Sequence, residues 1–203
     1  NWRPQGQLIT TLYDHKTIPV EKLIPFDNSH FCSFDNLGNV ILYNAKYNKD
    51  NELIINKRWQ YITDNKEEII YKSNICCIDN SYFALGIKKY LYQYNPHIPS
   101  KSKDVCLQIC ESSDDSNISC IKPFGYSSKE NQKILFCTED GSINLYDGRT
   151  NHEISLNLKI PNEKGIMNCI CESFEYGQFL ISTLDGNLLK YDLRLNSIID
   201  DFK

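Results

Sequence analysis

Gly38-Asn-Val40-Ile-Leu-Tyr43-Asn44, Gly141-Ser-Ile143-Asn-Leu-Tyr146-Asp147 and Gly186-Asn-Leu188-Leu-Lys-Tyr191-Asp192 are three copies of one phrase. Each has glycine first, an apolar residue at the second position after it, Tyr at the fifth and Asn or Asp at the sixth. A fourth copy, ending Tyr90-Leu-Tyr92-Gln-Tyr94-Asn95, keeps the closing pair without the glycine. Tyr43, Tyr94, Tyr146 and Tyr191 are spaced by 51, 52 and 45 residues. A period of about 40–50 residues carrying strand-like text marks an array of small β-sheets, each unable to bury its apolar faces alone. Arrays of this kind present surfaces more often than they perform chemistry, so the expectation is a binding scaffold.

The text around the phrase agrees with that reading. Short runs rich in Ile, Tyr, Phe and Val, broken by Asn, Asp and Gly, spell an antiparallel meander. Asp140-Gly141 and Asp185-Gly186 are the strongest hairpin signals, because glycine accepts the positive φ of a tight turn without steric cost. No stretch carries a helical apolar period, so the fold class is all-β. Cut on the tyrosine spacing, one domain over 1–203 divides into approximate repeats 15–62, 63–110, 111–158 and 159–203. Grouped in fours from the start, the strand text runs 7–13, 18–26, 30–34 and 40–43, then 58–62, 69–75, 82–85 and 90–94. A third group covers 107–110, 118–123, 134–137 and 143–146. A fourth covers 154–158, 167–171, 179–182 and 188–191, with 197–202 opening a fifth. Residues 46–56 and 96–104, polar or proline-bearing, read as loop insertions.

Composition bounds the function. The 203 residues are 41% apolar and 12% aromatic, a globular level, and the net charge of −4 offers no basic face for nucleic acid. The opening Asn1-Trp2-Arg3-Pro4-Gln5-Gly6 is unlike a signal peptide, and apolar runs such as Ile134-Leu135-Phe136-Cys137 fall far short of the roughly 20 residues that cross a bilayer. The reading is of a soluble intracellular protein. Its nine cysteines lie mostly in apolar strand text and read as buried thiols. Cys106 and Cys110 form a CxxxC pair, but zinc needs four converging ligands and no second pair is evident.

His15 after Asp14, the turn residue Asp27, and the closing Tyr146-Asp147 and Tyr191-Asp192 together resemble the WD-repeat family. In that family each blade is a four-stranded antiparallel sheet, set radially around a channel. The resemblance implies a β-propeller of about four blades plus extra strands, part of a seven-bladed ring. It makes His15, Asp27, Gly38, Tyr43, Tyr94, Gly141, Tyr146, Asp147, Gly186, Tyr191 and Asp192 the structural repeat positions, with Asp27 accepting a hydrogen bond from His15. Tyr replaces the usual closing Trp and later repeats have no opening His, so the family's Asp-His-Ser-Trp network is expected to be mostly missing. Trp2-Arg3-Pro4-x-Gly6-x-Leu8, His15-Lys16, Gly165-Ile166-Met167-Asn168-Cys169 and Tyr191-Asp192-Leu193-Arg194-Leu195 further resemble the WD-repeat domain of regulatory, protein-kinase-like subunits of class III phosphatidylinositol 3-kinase. That resemblance implies a scaffold with protein partners, the lipid kinase catalytic subunit and a Beclin-type coiled-coil subunit. It implies a cytoplasmic place, peripheral on endosomal or autophagic membranes. It implies no cofactor, metal or catalytic residue in this segment.

Asp147-x-Arg149 and Asp192-x-Arg194 also resemble the adaptor contact of WD-repeat substrate receptors of cullin-4 ubiquitin ligases. The alternative is local, each arginine capping its own strand end. Trp2 and Trp59 are either partner anchors or buried packing residues. His15, His30, His97 and His152 have no sequence partners that suggest a triad or metal site, and the acidic doublets Glu67-Glu68, Asp114-Asp115 and Asp200-Asp201 read as solvated turns.

Overall fold

Every copy of the repeated phrase lies in the third strand of a four-stranded antiparallel sheet. The structure, a computed structural model, describes residues 11–62, 74–78, 82–99, 101–112, 115–125, 133–150, 154–173, 175 and 177–202. Blade 1 contains β1 (Val20–Pro25), β2 (His30–Asp35), β3 (Val40–Tyr47) and β4 (Leu53–Tyr61). Blade 2 contains β5 (Ile75–Ile78), β6 (Tyr82–Ile87), β7 (Tyr90–Tyr94) and β8 (Cys106–Glu111). Blade 3 contains β9 (Ile118–Phe124), β10 (Lys133–Thr138), β11 (Ser142–Asp147) and β12 (Ile154–Lys159). Blade 4 contains β13 (Met167–Glu172), β14 (Gln178–Thr183), β15 (Leu188–Asp192) and β16 (Ser197–Phe202). In each sheet the strands lie in sequence order, each paired with the next.

This arrangement corrects the strand grouping read from the sequence by one strand. Residues 58–62, 107–110 and 154–158 close blades 1, 2 and 3 rather than opening the next, and Ser197–Phe202 closes blade 4 rather than starting a fifth. Hairpin register decides this: each of these segments folds back onto the phrase before it, as in Asp192↔Ser197. The one-strand offset arises because residues 7–13 read as the first strand of a blade. Residues 11–13 are in no strand, and 7–10 lie outside the described residues, as do 69–73 of another expected strand. Residues 46–56 are not an insertion either. They are the arm of the β3–β4 hairpin, with Tyr47 opposite Leu53, and Asn48 Oδ1 closes its turn by accepting the Asp50 and Glu52 N–H groups. The arm stands clear of the core on both faces, so its text is polar although its backbone is paired.

The tyrosine of the phrase is buried in all four copies. The tyrosine packs against the preceding blade. Tyr94 joins Phe34, Val40, Leu42 and Trp59 of blade 1, Tyr146 joins Ile78, Ala84 and Leu91 of blade 2, and Tyr191 joins Leu135, Cys137 and Leu158 of blade 3. Three interblade cores therefore hold four blades. Cys106 and Cys110 point into two different cores, so they do not converge on a common ligand position. All nine cysteines are free thiols, and burial pushes Cys76 and Cys110 up to about 12.

The glycines of the phrase sit in the turn between second and third strands with φ of +83° (Gly38), +90° (Gly141) and +83° (Gly186). Their N–H groups donate 3.1 Å bonds to the carbonyls of Asp35, Thr138 and Thr183. Blade 2 makes this connection with only Lys88-Lys89, where Lys88 takes the positive φ itself, which is why its copy lacks the glycine. Gly86 serves packing instead, since a Cβ there would lie 2.7 Å from Ile118 Cγ2 on the neighbouring blade. Gly86→Ala is expected to destabilise the protein by about 1–3 kcal/mol through overpacking. A urea titration in which the midpoint does not move would contradict the β6–β9 approach.

Candidate protein-interaction faces

The turns divide between two faces of the array. One face carries the second-to-third strand turns with the links between blades, and the other carries the first-to-second and third-to-fourth strand turns.

On the first face His15 Nδ1–H donates to Asp35 Oδ2 at 2.9 Å, leaving Nε2 to accept the Ser33 hydroxyl at 2.6 Å. Asp35 is fully buried and also accepts from the Leu37 and Asn39 N–H groups at 3.0 and 2.9 Å and from Asn39 Nδ2 at 2.8 Å. Burial pushes its carboxyl up, but the His15 and Asn39 hydrogen bonds outweigh it and hold it below the usual carboxylate value. Tyr43 Oη–H extends the chain of bonds to Asp14 Oδ2 at 3.0 Å, and Lys57 Nζ pairs with Asp14 Oδ1 at 2.7 Å. Burial and then Asp14 raise the Tyr43 phenol to about 12. Blade 1 thus has an Asp35-His15-Ser33-Tyr43 network, with Tyr in the place of Trp.

That network corrects the expectation for Asp27. Its Oδ1 accepts from the Ser29 and His30 N–H groups at 2.7 and 2.8 Å, the first of which does most to bring the carboxyl down to about 2. Asp27 therefore caps the β1–β2 turn on the opposite face, and the acceptor of His15 is Asp35. The available signal was the aspartate three residues ahead of the phrase glycine. Thr138 and Thr183 hold that place in blades 3 and 4.

On the second face the closing residue of the phrase bonds to the turns beside it. Asn44 Nδ2 donates to Ser29 O and lies 3.0 Å from His30 Nε2, and Asp192 Oδ2 accepts from Gln178 Nε2 at 2.8 Å. Asp147 is gripped by Arg149 through Nε at 2.9 Å and Nη2 at 2.6 Å, and Asp192 by Arg194 at 3.1 and 2.6 Å. These forks bring Asp147 down to about 2 and Asp192 lower still, with the arginine the leading cause in each. Each guanidinium is spent on its own strand end, although both remain largely exposed.

Trp59 is buried, with Nε1–H donating to Ile98 O at 3.0 Å, so it anchors the 96–104 segment rather than a partner. His97 packs its ring on Phe26. Asp201 pairs with Lys164 and Asp115 with Lys89. Trp2, Glu67, Glu68, Asp114 and His152 lie outside the described residues. Among the described residues no cluster of His, Cys, Asp or Glu is placed to hold a metal ion, and no helix is long and apolar enough to cross a membrane.

The fold matches a solved structure, the crystal structure of the WD40 beta propeller domain of Doa1, with a TM-score of 0.52 and 12% identity over 92% of this chain and 69% of that one. The chain has the fold of a WD40 β-propeller. No family model matches the sequence. The sequence is similar to the "Probable serine/threonine-protein kinase vps15" of Dictyostelium discoideum, 22% identical over 199 residues. That similarity covers 95% of this chain and spans about a tenth of the relative's length, 10%. No kinase-like fold is present among the described residues.

Proposed function

We propose that this propeller is a non-catalytic protein-interaction scaffold, the WD-repeat part of the regulatory, protein-kinase-like subunit of a class III phosphatidylinositol 3-kinase complex in vesicle trafficking and autophagy. The observation that supports the reading most is the sequence similarity to the Dictyostelium vps15 protein, which runs through 95% of the chain. Its partners on this reading are the lipid kinase catalytic subunit and a Beclin-type coiled-coil subunit. It acts in the cytoplasm and reaches endosomal or autophagic membranes only through the complex. The flanks of the array favour a larger ring. In blade 4, Leu180, Ser182 and Leu188 hold the register positions of Leu135, Cys137 and Ile143, which are buried in blade 3, yet they are partly or largely exposed. A further blade packing there would bury them.

Affinity purification of the tagged full-length parent is expected to recover the lipid kinase subunit. Its absence from repeated purifications would overturn the assignment. The paired Asp-x-Arg endings on one face favour a second reading, a cullin-4 substrate receptor. Arg149→Gln combined with Arg194→Gln separates the two, because on the scaffold reading lipid kinase recovery is unchanged. On the ligase reading the same variant loses the adaptor.

A further inference from the structure

A cleft on the first face opens between the turns of blades 3 and 4. Two cavities of about 760 Å³ and 400 Å³ meet there and share Glu139, Ile166 and Leu184 as walls. Leu184 is 64% exposed and Ile166 44%, large aliphatic surface for side chains at a turn and a link. Neither is loosely held. The Leu184 N–H donates to Ile166 O at 2.9 Å, and Asn187 Nδ2 donates to Lys164 O at 3.0 Å, so the β14–β15 turn is bolted to the segment entering β13. At Gly165, with φ of +86°, a Cβ would lie 2.4 Å from Asp185 Oδ2, which keeps that wall free of a side chain.

The rim is acidic. Asp140 is paired with Lys159 at 3.2 Å, but Glu139 and Asp185 are in no ion pair among the described residues, and Glu139 accepts only from Asn117 Nδ2 at 3.0 Å. The axial end is mixed, with Glu21 beside Lys22 and Lys122, and Lys22 Nζ donates to Ile75 O at 2.5 Å. The carboxylates beside the aliphatic wall are therefore those of the rim. Together these features describe a rigid apolar platform with two carboxylates at its edge.

We infer that this groove docks an extended peptide segment of a partner protein, one that lays an aliphatic side chain on Ile166 and Leu184 and a lysine or arginine between Glu139 and Asp185. The cavity volumes fit a few residues of extended chain, at about 3.3 Å per residue. The same carboxylates repel an anionic lipid surface and a nucleic acid backbone. The inference is independent of which complex the propeller joins.

The test is fluorescence anisotropy on the 203-residue chain with two fluorescein-labelled peptides. One is Gly-Ser-Arg-Leu-Leu-Lys-Ser-Gly, and in the other Glu replaces both Arg and Lys. The basic peptide is expected to bind about tenfold or more tightly than its inverted partner and to weaken with added salt. Leu184→Ser with Ile166→Ser is expected to weaken it about tenfold, and Glu139→Gln with Asp185→Asn severalfold with a flatter salt dependence. All four side chains border open solvent, so melting temperatures of these variants should stay within a few degrees of the parent. Equal binding of the two peptides, no binding of either, or undiminished binding by the Leu184/Ile166 variant would overturn the inference. Sedimentation with phosphatidylserine vesicles that the same variant abolishes would overturn it too, assigning the patch to a lipid surface.

Discussion

Phe83→Ala is expected to remove about 3–5 kcal/mol of stability, a large part of the roughly 5–15 kcal/mol that holds a domain folded. The Phe83 ring is fully buried between blades 1 and 2, 5.0 Å from Phe26 and 5.3 Å edge-on to Phe34, in the core that includes Trp59 and Tyr94. The loss combines the transfer of a large aromatic side chain with the cavity it leaves. Neighbouring blades support each other through such interfaces, so amide exchange should quicken on both sides, in β2–β3 as well as β6–β7. Equilibrium urea unfolding reads the magnitude. A change below about 1 kcal/mol would mean that the blade 1–2 junction is not packed as described.

Asp35→Ala is the second large effect, also about 3–5 kcal/mol, for a different reason. The mutation leaves the His15 ring, the Asn39 amide and two backbone N–H groups buried without their acceptor. It also gives a pH signature. The folded carboxyl is held below its usual value of about 4, so the unfolded chain binds more protons in the acid range. Its contribution is complete above about pH 4 and is lost as pH falls through the folded value. Asp27, Asp140 and Asp147, each near 2, add acid sensitivity between about pH 4 and 2. The wild-type stability curve should drop steeply in that window, and the curve of Asp35→Ala should be measurably shallower. Parallel curves would separate Asp35 from the acid transition.

The repeated phrase was legible because local chemistry writes it. A glycine at a positive-φ turn, an alternating strand and a closing Asx are needed wherever that hairpin occurs, whatever packs on it. The same locality explains what was misread. Two aspartates near His15 both stand at turns, and only the path of β1 and β2 decides which one returns to the imidazole. Residues 46–56 look like a loop because their hairpin arm buries neither face. Leu184 and Ile166 look like ordinary strand-flanking aliphatics, and nothing in their text tells that a turn and a link 18 residues apart share one backbone hydrogen bond and one cleft.

The sequence by itself therefore determined the all-β class, the period and the turn chemistry, since each depends on residues within a few positions of one another. Strand phase, the Asp35-His15-Ser33-Tyr43 network and the groove at Leu184 were decided only by tertiary structure. The reason is physical: a strand's partner and a polar group's acceptor are chosen by what folding brings alongside, at separations over which the chain carries no local signal.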